Sequence, residues 1–141
     1  MSTPQSPVAA RNLAVIREAY SAFGRGDIAA VVAAFAPQGS FESVGDPGLF
    51  PVLGRYAGHA GIADFFRRIA ETMEVLDFAP EAFDGWEDRV LVRGRERLRM
   101  HATGREVQVR WVHLFTLADG LIVEGVEWTD SAALMAAHRG L

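Results

Sequence analysis

The apolar residues of this chain change their spacing once, from a helical repeat near 3.6 to the two-residue repeat of strands, and few folds accommodate that switch. Leu13, Ile16, Tyr20 and Phe23 recur on one helical face until Gly24-Arg25-Gly26 stops the pattern. Asp27 then offers an N-cap to a second helix carrying Ile28, Val31, Val32 and Phe35, which Pro37 and Gly39 bring to an end. A short strand is expected over 40–44. A third helix follows, with Ile62, Phe65, Phe66, Ile69 and Met73 on one side and Arg67, Arg68 and Glu71 on the other. Past residue 89 the alternation takes over. Val90, Val92, Leu98 and Met100 share one parity, and Arg93, Arg95, Arg97 and Arg99 share the other. Thr103-Gly104-Arg105-Glu106 reads as a turn, 107–117 as a long strand, Ala118-Asp119-Gly120 as a tight hairpin turn and 121–128 as a further strand. A short terminal helix over 131–138 starts from Asp130 or Ser131. Helices followed by antiparallel strands define an α+β chain, in which each single-striped helix must cover one face of the sheet.

The 141 residues fit one domain, expected over 9–141 behind a disordered tail at 1–8 that is rich in Pro, Ser, Thr and Gln. The chain has no cysteine, which removes disulfides, thiolate metal sites and a cysteine nucleophile together. No apolar run reaches the roughly 20 residues of a membrane span, and the start lacks the charged and apolar regions of a signal peptide. A cytoplasmic protein that engages neither membrane nor nucleic acid is therefore expected, in keeping with a net charge of −4. All fourteen basic residues are Arg, which codon bias explains more simply than function does. The segment 45–54 is turn-rich and yet apolar at Leu49, Phe50, Val52 and Leu53; apolar loops usually cover something.

Several short signatures, in this order, carry a family resemblance. They are Tyr20-Ser21-Ala22-Phe23-Gly24-Arg25-Gly26-Asp27, Phe35-Ala36-Pro37, Tyr56-Ala57-Gly58-His59-Ala60-Gly61-Ile62, Ala102-Thr103-Gly104-Arg105, the stretch from His113 to Val123, and Trp128-Thr129-Asp130. Together they resemble the SnoaL-like, ketosteroid-isomerase-like branch of the nuclear-transport-factor-2-like (NTF2-like) superfamily. The resemblance implies a cone: a curved antiparallel sheet wrapped over three N-terminal helices, a short C-terminal helix, an apolar pocket inside and a sheet-to-sheet homodimer outside. Members of that superfamily isomerise, cyclise, hydrolyse or merely bind, so the fold leaves the activity open.

His113 is the most informative candidate. It shares its strand face with Val109, Trp111, Phe115 and Leu117, and the resemblance turns that face into the pocket, near the oxyanion-stabilising acid of steroid isomerases. There it would donate a hydrogen bond or act as a base; a core histidine satisfied by a backbone carbonyl or water is the other reading. Glu96 interrupts the apolar parity of its strand and would point into the cone with a raised pKa, unless a bulge at Gly94 turns it outward to an arginine. Asp46 is a third candidate for proton transfer, although Asp46-Pro47 reads equally well as a turn. Tyr20, Phe50, Phe66, Trp111 and Trp128 are expected to line the cavity. Ser43 is expected there too, at the place where the resemblance aligns the catalytic Asp of steroid isomerases. With Ser43 there, and Ala19 where those enzymes have a tyrosine, steroid isomerisation is disfavoured. His59 suits a helix-start or loop role, and His101 and His138 suit the surface. The four histidines show no metal-ligand spacing, so neither a metal nor another cofactor is expected.

Arg89, Arg93, Arg95, Arg97, Arg99, Arg105 and Arg110 put half the basic residues into one hairpin, where Glu106, Glu124 or Glu127 could pair with them as a solvated or dimer-facing ladder. Val112, Leu114 and Thr116 form an outer row suited to a homodimer. The expected function is cofactor-free acid–base chemistry of the isomerase, cyclase or hydrolase kind on a small, largely apolar or aromatic molecule. The alternative is a binding protein of the same fold in which His113 only orients its ligand.

Overall fold

The computed structural model describes residues 5–141; Met1–Pro4, half of the expected tail, lie outside the described residues. The other half is not a tail throughout. Ser6 accepts the Ala9 N–H at 3.0 Å and starts helix α1, Pro7–Gly24, with proline at the first position, where its missing N–H costs nothing. Asp27 caps α2, Ile28–Ala33, through the Ala30 N–H. That helix is shorter than its apolar spacing suggests. Phe35 already belongs to strand β1, Phe35–Ser43, and Pro37 and Gly39 lie within the strand, at an irregularity in its pairing.

Strand β2, Gly54–Ala57, leads into helix α3, Gly58–Thr72. Four long strands follow: β3 Met73–Trp86, β4 Arg89–Met100, β5 Glu106–Ala118 and β6 Leu121–Thr129. Helix α4, Ser131–Arg139, closes the chain from its Asp130 cap. The hairpin between β5 and β6 turns through Asp119 and Gly120, both at positive φ, the backbone that two-residue hairpin loops require. The α+β class holds, and the sheet order is β2-β1-β6-β5-β4-β3. Neighbours run antiparallel except β1 and β6, which are parallel. Among the described residues, no helix is long and apolar enough to cross a membrane.

The helices pack their apolar stripes on the inner face of this sheet. Ile16 of α1 and Ile62 and Phe65 of α3 are buried against Phe41, Val90, Val92, Leu98, Val109 and Phe115. Each such side chain contributes about 1.5–3 kcal/mol by leaving water. The loop before β2 joins the core, with Phe50, Val52 and Leu53 buried, while Leu49 stays exposed. The Tyr56 hydroxyl donates to the Val52 carbonyl at 2.7 Å, and Arg139 of α4 donates to the Gly48 carbonyl at 3.0 Å. These two bonds tie the loop over the end of the cone.

Two register features decide what the sheet presents inward. The β4–β5 ladder runs without interruption from Arg89–Thr116 to Arg99–Glu106, so no bulge turns Glu96 outward. Gly94 serves another purpose: a Cβ there would fall 2.4 Å from the Trp111 ring and 2.5 Å from the Ala79 carbonyl. In β6, by contrast, Thr116 pairs with Glu124 and Leu117 with Ile122, which leaves Val123 as an extra residue. That bulge inverts the alternation, so Ile122 faces in and the next inward residues are Gly125 and Glu127.

Candidate functional site

A cavity of about 110 Å³ lies between the inner face of the sheet and α1 and α3, closed at one end by the 45–54 loop and α4. Its walls are overwhelmingly apolar and aromatic. Phe23 and Phe66 come from the helices, Phe41, Phe78 and Phe115 from the sheet, and Phe50 from the loop. Five polar side chains break that lining: Tyr20, Ser43, Glu96, His113 and Glu127.

Four of the five form one hydrogen-bonded chain. The Ser43 hydroxyl donates to Glu127 Oε1 at 2.9 Å, Glu127 Oε2 lies 2.7 Å from His113 Nε2, and His113 Nδ1 lies 2.5 Å from the Tyr20 hydroxyl. The backbone imposes the central contact, because His113 and Glu127 are direct cross-strand partners on the inner face. Burial pushes the Glu127 carboxyl up, but its hydrogen bonds to His113 and Ser43 and the electrostatic pull of the His113 ring outweigh that and hold it below the usual carboxylate range. Glu127 is therefore an anion at neutral pH, and an anion accepts. The assignment that satisfies every atom has Nε2–H donating to Glu127 and Tyr20 O–H donating to Nδ1. Burial, reinforced by the charge on Glu127, raises the Tyr20 hydroxyl well above its ordinary value, so Tyr20 keeps its proton.

Stacking fixes the ring planes. The Trp111 ring lies 4.2 Å from the His113 ring at 20°, and Phe78 stacks on the far side of Trp111 at 4.9 Å. The Tyr20 ring is nearly parallel to that of His113, at 5°.

Glu96 stands apart from this chain. It enters the cavity from β4 and makes no side-chain hydrogen bond among the described residues. Burial and the neighbouring charge of Glu127 raise its pKa to about 8, so at neutral pH it is a carboxylic acid with a proton to give. One wall thus holds an ionised carboxylate backed by histidine, and another holds a neutral acid. Two titratable groups whose environments separate their pKa values are what acid–base chemistry in a single pocket requires.

The structure brings His113, Glu96, Tyr20, Ser43, Phe50 and Phe66 to the cavity and places the remaining candidates elsewhere. Asp46 is exposed in the loop, where its Oδ1 accepts the Gly48 N–H at 2.8 Å; it builds a turn and does not reach the cavity. Trp128 is 46% exposed on the outer face, because the bulge at Val123 reverses the row to which it was assigned. Trp111 is buried behind His113 and supports its ring without lining the cavity. His59 Nε2 donates to the Phe35 carbonyl at 2.8 Å, joining α3 to β1. His138 is half-buried, not on the surface, and packs edge-on against Phe50. Glu106 pairs with Arg97 at 2.6 Å, and Glu74 and Glu81 complete the outer ladder with Arg99 and Arg95. Glu127, expected in that ladder, is instead the centre of the site.

A cone of curved sheet over helices is the NTF2-like fold, and solved structures agree. An NTF2-like protein from Burkholderia pseudomallei is 26% identical over 90% of this chain and 96% of its own, with a TM-score of 0.83. Another from Burkholderia xenovorans is 27% identical over 92% of this chain and 97% of its own, with a TM-score of 0.82. TerC, solved in co-crystals with polyporic acid, shares the fold at 24% identity over 92% of this chain and 98% of its own, with a TM-score of 0.80. Residues 16–125 match the model of the SnoaL-like domain, and the chain belongs to that family. Among curated proteins, none matches it.

Proposed function

We propose that this protein is a cofactor-free enzyme of the isomerase or cyclase kind, moving a proton to or from a small, largely apolar molecule in the cavity. One observation carries the reading: the chain Ser43–Glu127–His113–Tyr20 and the protonated Glu96 share a single water-poor cavity. Each Glu127 oxygen accepts one hydrogen bond and keeps lone pairs free, so the Glu127–His113 pair can take a proton from a bound carbon acid. As negative charge develops on the substrate oxygen, Glu96 can donate to it without first being charged. Tyr20, which keeps its proton, donates to His113 Nδ1 and so fixes the tautomer that presents Nε2–H to Glu127. The aromatic walls hold a flat molecule and keep bulk water out.

The generic carbon acid nitrobenzisoxazole tests this reading, since any well-placed base opens its ring and releases a coloured phenolate. The wild-type protein should open it with saturation kinetics, and E127Q and H113Q should each lose about 100-fold or more of kcat. A wild-type rate no faster than that of E127Q would refute the enzymatic reading and leave a binding protein of the same fold.

A further inference from the structure

The cavity is not equally deep on all sides. At the end covered by the 45–54 loop and α4, Phe50, Val52, Leu53 and Leu134 are buried, and hydrogen bonds from Tyr56 and Arg139 hold the loop down. The unbroken β4–β5 ladder closes the sheet side. The apolar lining residues that keep some exposure gather elsewhere: Ala19 and Phe23 on α1, Phe66 and Ile69 on α3, and Val75 and Phe78 on β3. Strand β3 is an edge of the sheet, so no further strand covers that side.

Phe23 spans this opening. Its ring lies 5.0 Å from Phe78, edge-on at 66°, and 5.9 Å from Phe66, so one side chain bridges the gap from β3 to α3. Tyr20, a turn earlier on α1, stacks on Phe78 at 6.1 Å and reaches on to His113. Phe23 is the last residue of α1 before Gly24-Arg25-Gly26, all exposed, and no other part of the chain lies within 4 Å of where a Cβ of Gly24 or Gly26 would stand. Two aromatic neighbours therefore hold the ring, on a helix end with open space beside it, where side chains change rotamer within nanoseconds.

We infer that molecules enter the cavity between α1, α3 and β3, and that Phe23 is the gate residue that decides which of them pass. When its ring turns aside, the slit it leaves is bounded by Phe66 and Phe78, so a flat molecule passes edge-first and a thicker one of equal size is held back. This rests on the reading of the cavity as the place where a small apolar molecule binds, but not on the chemistry done there. A gate acts on the barrier: it changes entry and exit together and leaves their ratio, the affinity, nearly fixed. A wall contact changes the affinity instead.

Phenol and cyclohexanol separate these cases, since each is a six-membered ring with one hydroxyl and only the first is flat. Their entry and exit rates on the whole protein are measured by relaxation-dispersion NMR. Phenol should enter the wild type at least about 10-fold faster than cyclohexanol, and F23A should speed both, cyclohexanol by about 10-fold or more. F23W should slow both, and R139A, which frees the loop at the far end, should leave the rates as they are. Five results would each overturn the inference: neither probe binding, the two entering the wild type equally fast, rates unchanged in a folded F23A, an affinity that shifts as much as the rates, or R139A speeding entry as F23A should. Where F23A fails to fold, F23W decides, and entry no slower than in the wild type counts against the gate. Exchange governed by Phe23 without ring opening of nitrobenzisoxazole would sink the catalytic reading and spare the gate; ring opening with exchange indifferent to Phe23 would do the opposite.

Discussion

His113 and Glu127 face each other across the β5–β6 ladder, with Nε2 2.7 Å from Oε2, and the rest of the site is arranged around that contact. Ser43 reaches Glu127 from the parallel neighbour β1, and Tyr20 reaches His113 from α1. Four elements distant in sequence therefore meet in one chain of side chains. Removing its middle leaves buried donors on both sides unpaired.

Truncation should accordingly cost more than isosteric replacement. Glu127→Ala strands the Ser43 hydroxyl and the His113 N–H and should destabilise the fold by roughly 2–4 kcal/mol, whereas Glu127→Gln keeps an acceptor and should cost about half as much. Urea unfolding of the two variants checks this; equal losses would mean that the hydrogen bonds do not matter to the fold.

Glu96 predicts a pH dependence with a definite sign. Its pKa is raised to about 8 in the folded protein from about 4.5 in a free chain, so its favourable contribution is complete only below pH 4.5. The contribution is lost as pH rises through 8. Relative to the wild type, E96Q should gain roughly 2–4 kcal/mol of stability between pH 5 and pH 9. On the proposed mechanism the proton-donating form of Glu96 disappears over the same interval, so wild-type turnover should fall above pH 8. A difference in stability between the two proteins that stays flat from pH 5 to pH 9 would show Glu96 to be freely solvated.

Gly94 holds the site from behind. Gly94→Ala drives a methyl group into the Trp111 ring and the Ala79 carbonyl, and both supports are rigid. A loss of about 2–3 kcal/mol in unfolding experiments is expected, together with slower turnover on the proposed mechanism, since Trp111 stacks on the His113 ring. Unchanged stability would mean that the strand shifts freely.

These residues also mark how far the sequence could be read. The two periods gave the α+β class, and the parity of β4 placed Glu96 inward because that strand is regular through both its Gly and its Glu. His113 was visible for the same reason in β5. Glu127 was not, since a single extra residue at Val123 reverses the alternation, and nothing about Val123 itself announces a bulge. The same inversion misplaced Trp128. Strand β3 escaped notice because its pairing slips at two points, after Val75 and after Pro80, which spoils any two-residue repeat. β2 has only four residues, too few for a pattern. The 45–54 loop announced its apolar character but not its place, which depends on contacts with α4 and Tyr56.

The outer face yields a prediction about assembly. Trp128 is exposed there, and its cross-strand partner Val112, together with Leu114 and Val126, is only half-buried. We propose that a second copy covers this row. Sedimentation should give a dimer at micromolar concentration, and replacing Val112 with Glu should return a monomer with its cavity intact. A wild-type monomer at high concentration would rule the interface out.

The state of the His113 ring tests the central claim most directly. Nitrogen-15 NMR of the histidine side chains, with His113 assigned by comparison with H113Q, should show a protonated Nε2 and an unprotonated Nδ1 at neutral pH, held as one tautomer. The Nε2 signal should move in E127Q and the Nδ1 signal in Y20F. A pair of averaged signals, typical of an imidazole exchanging freely with water and indifferent to both variants, would contradict the account.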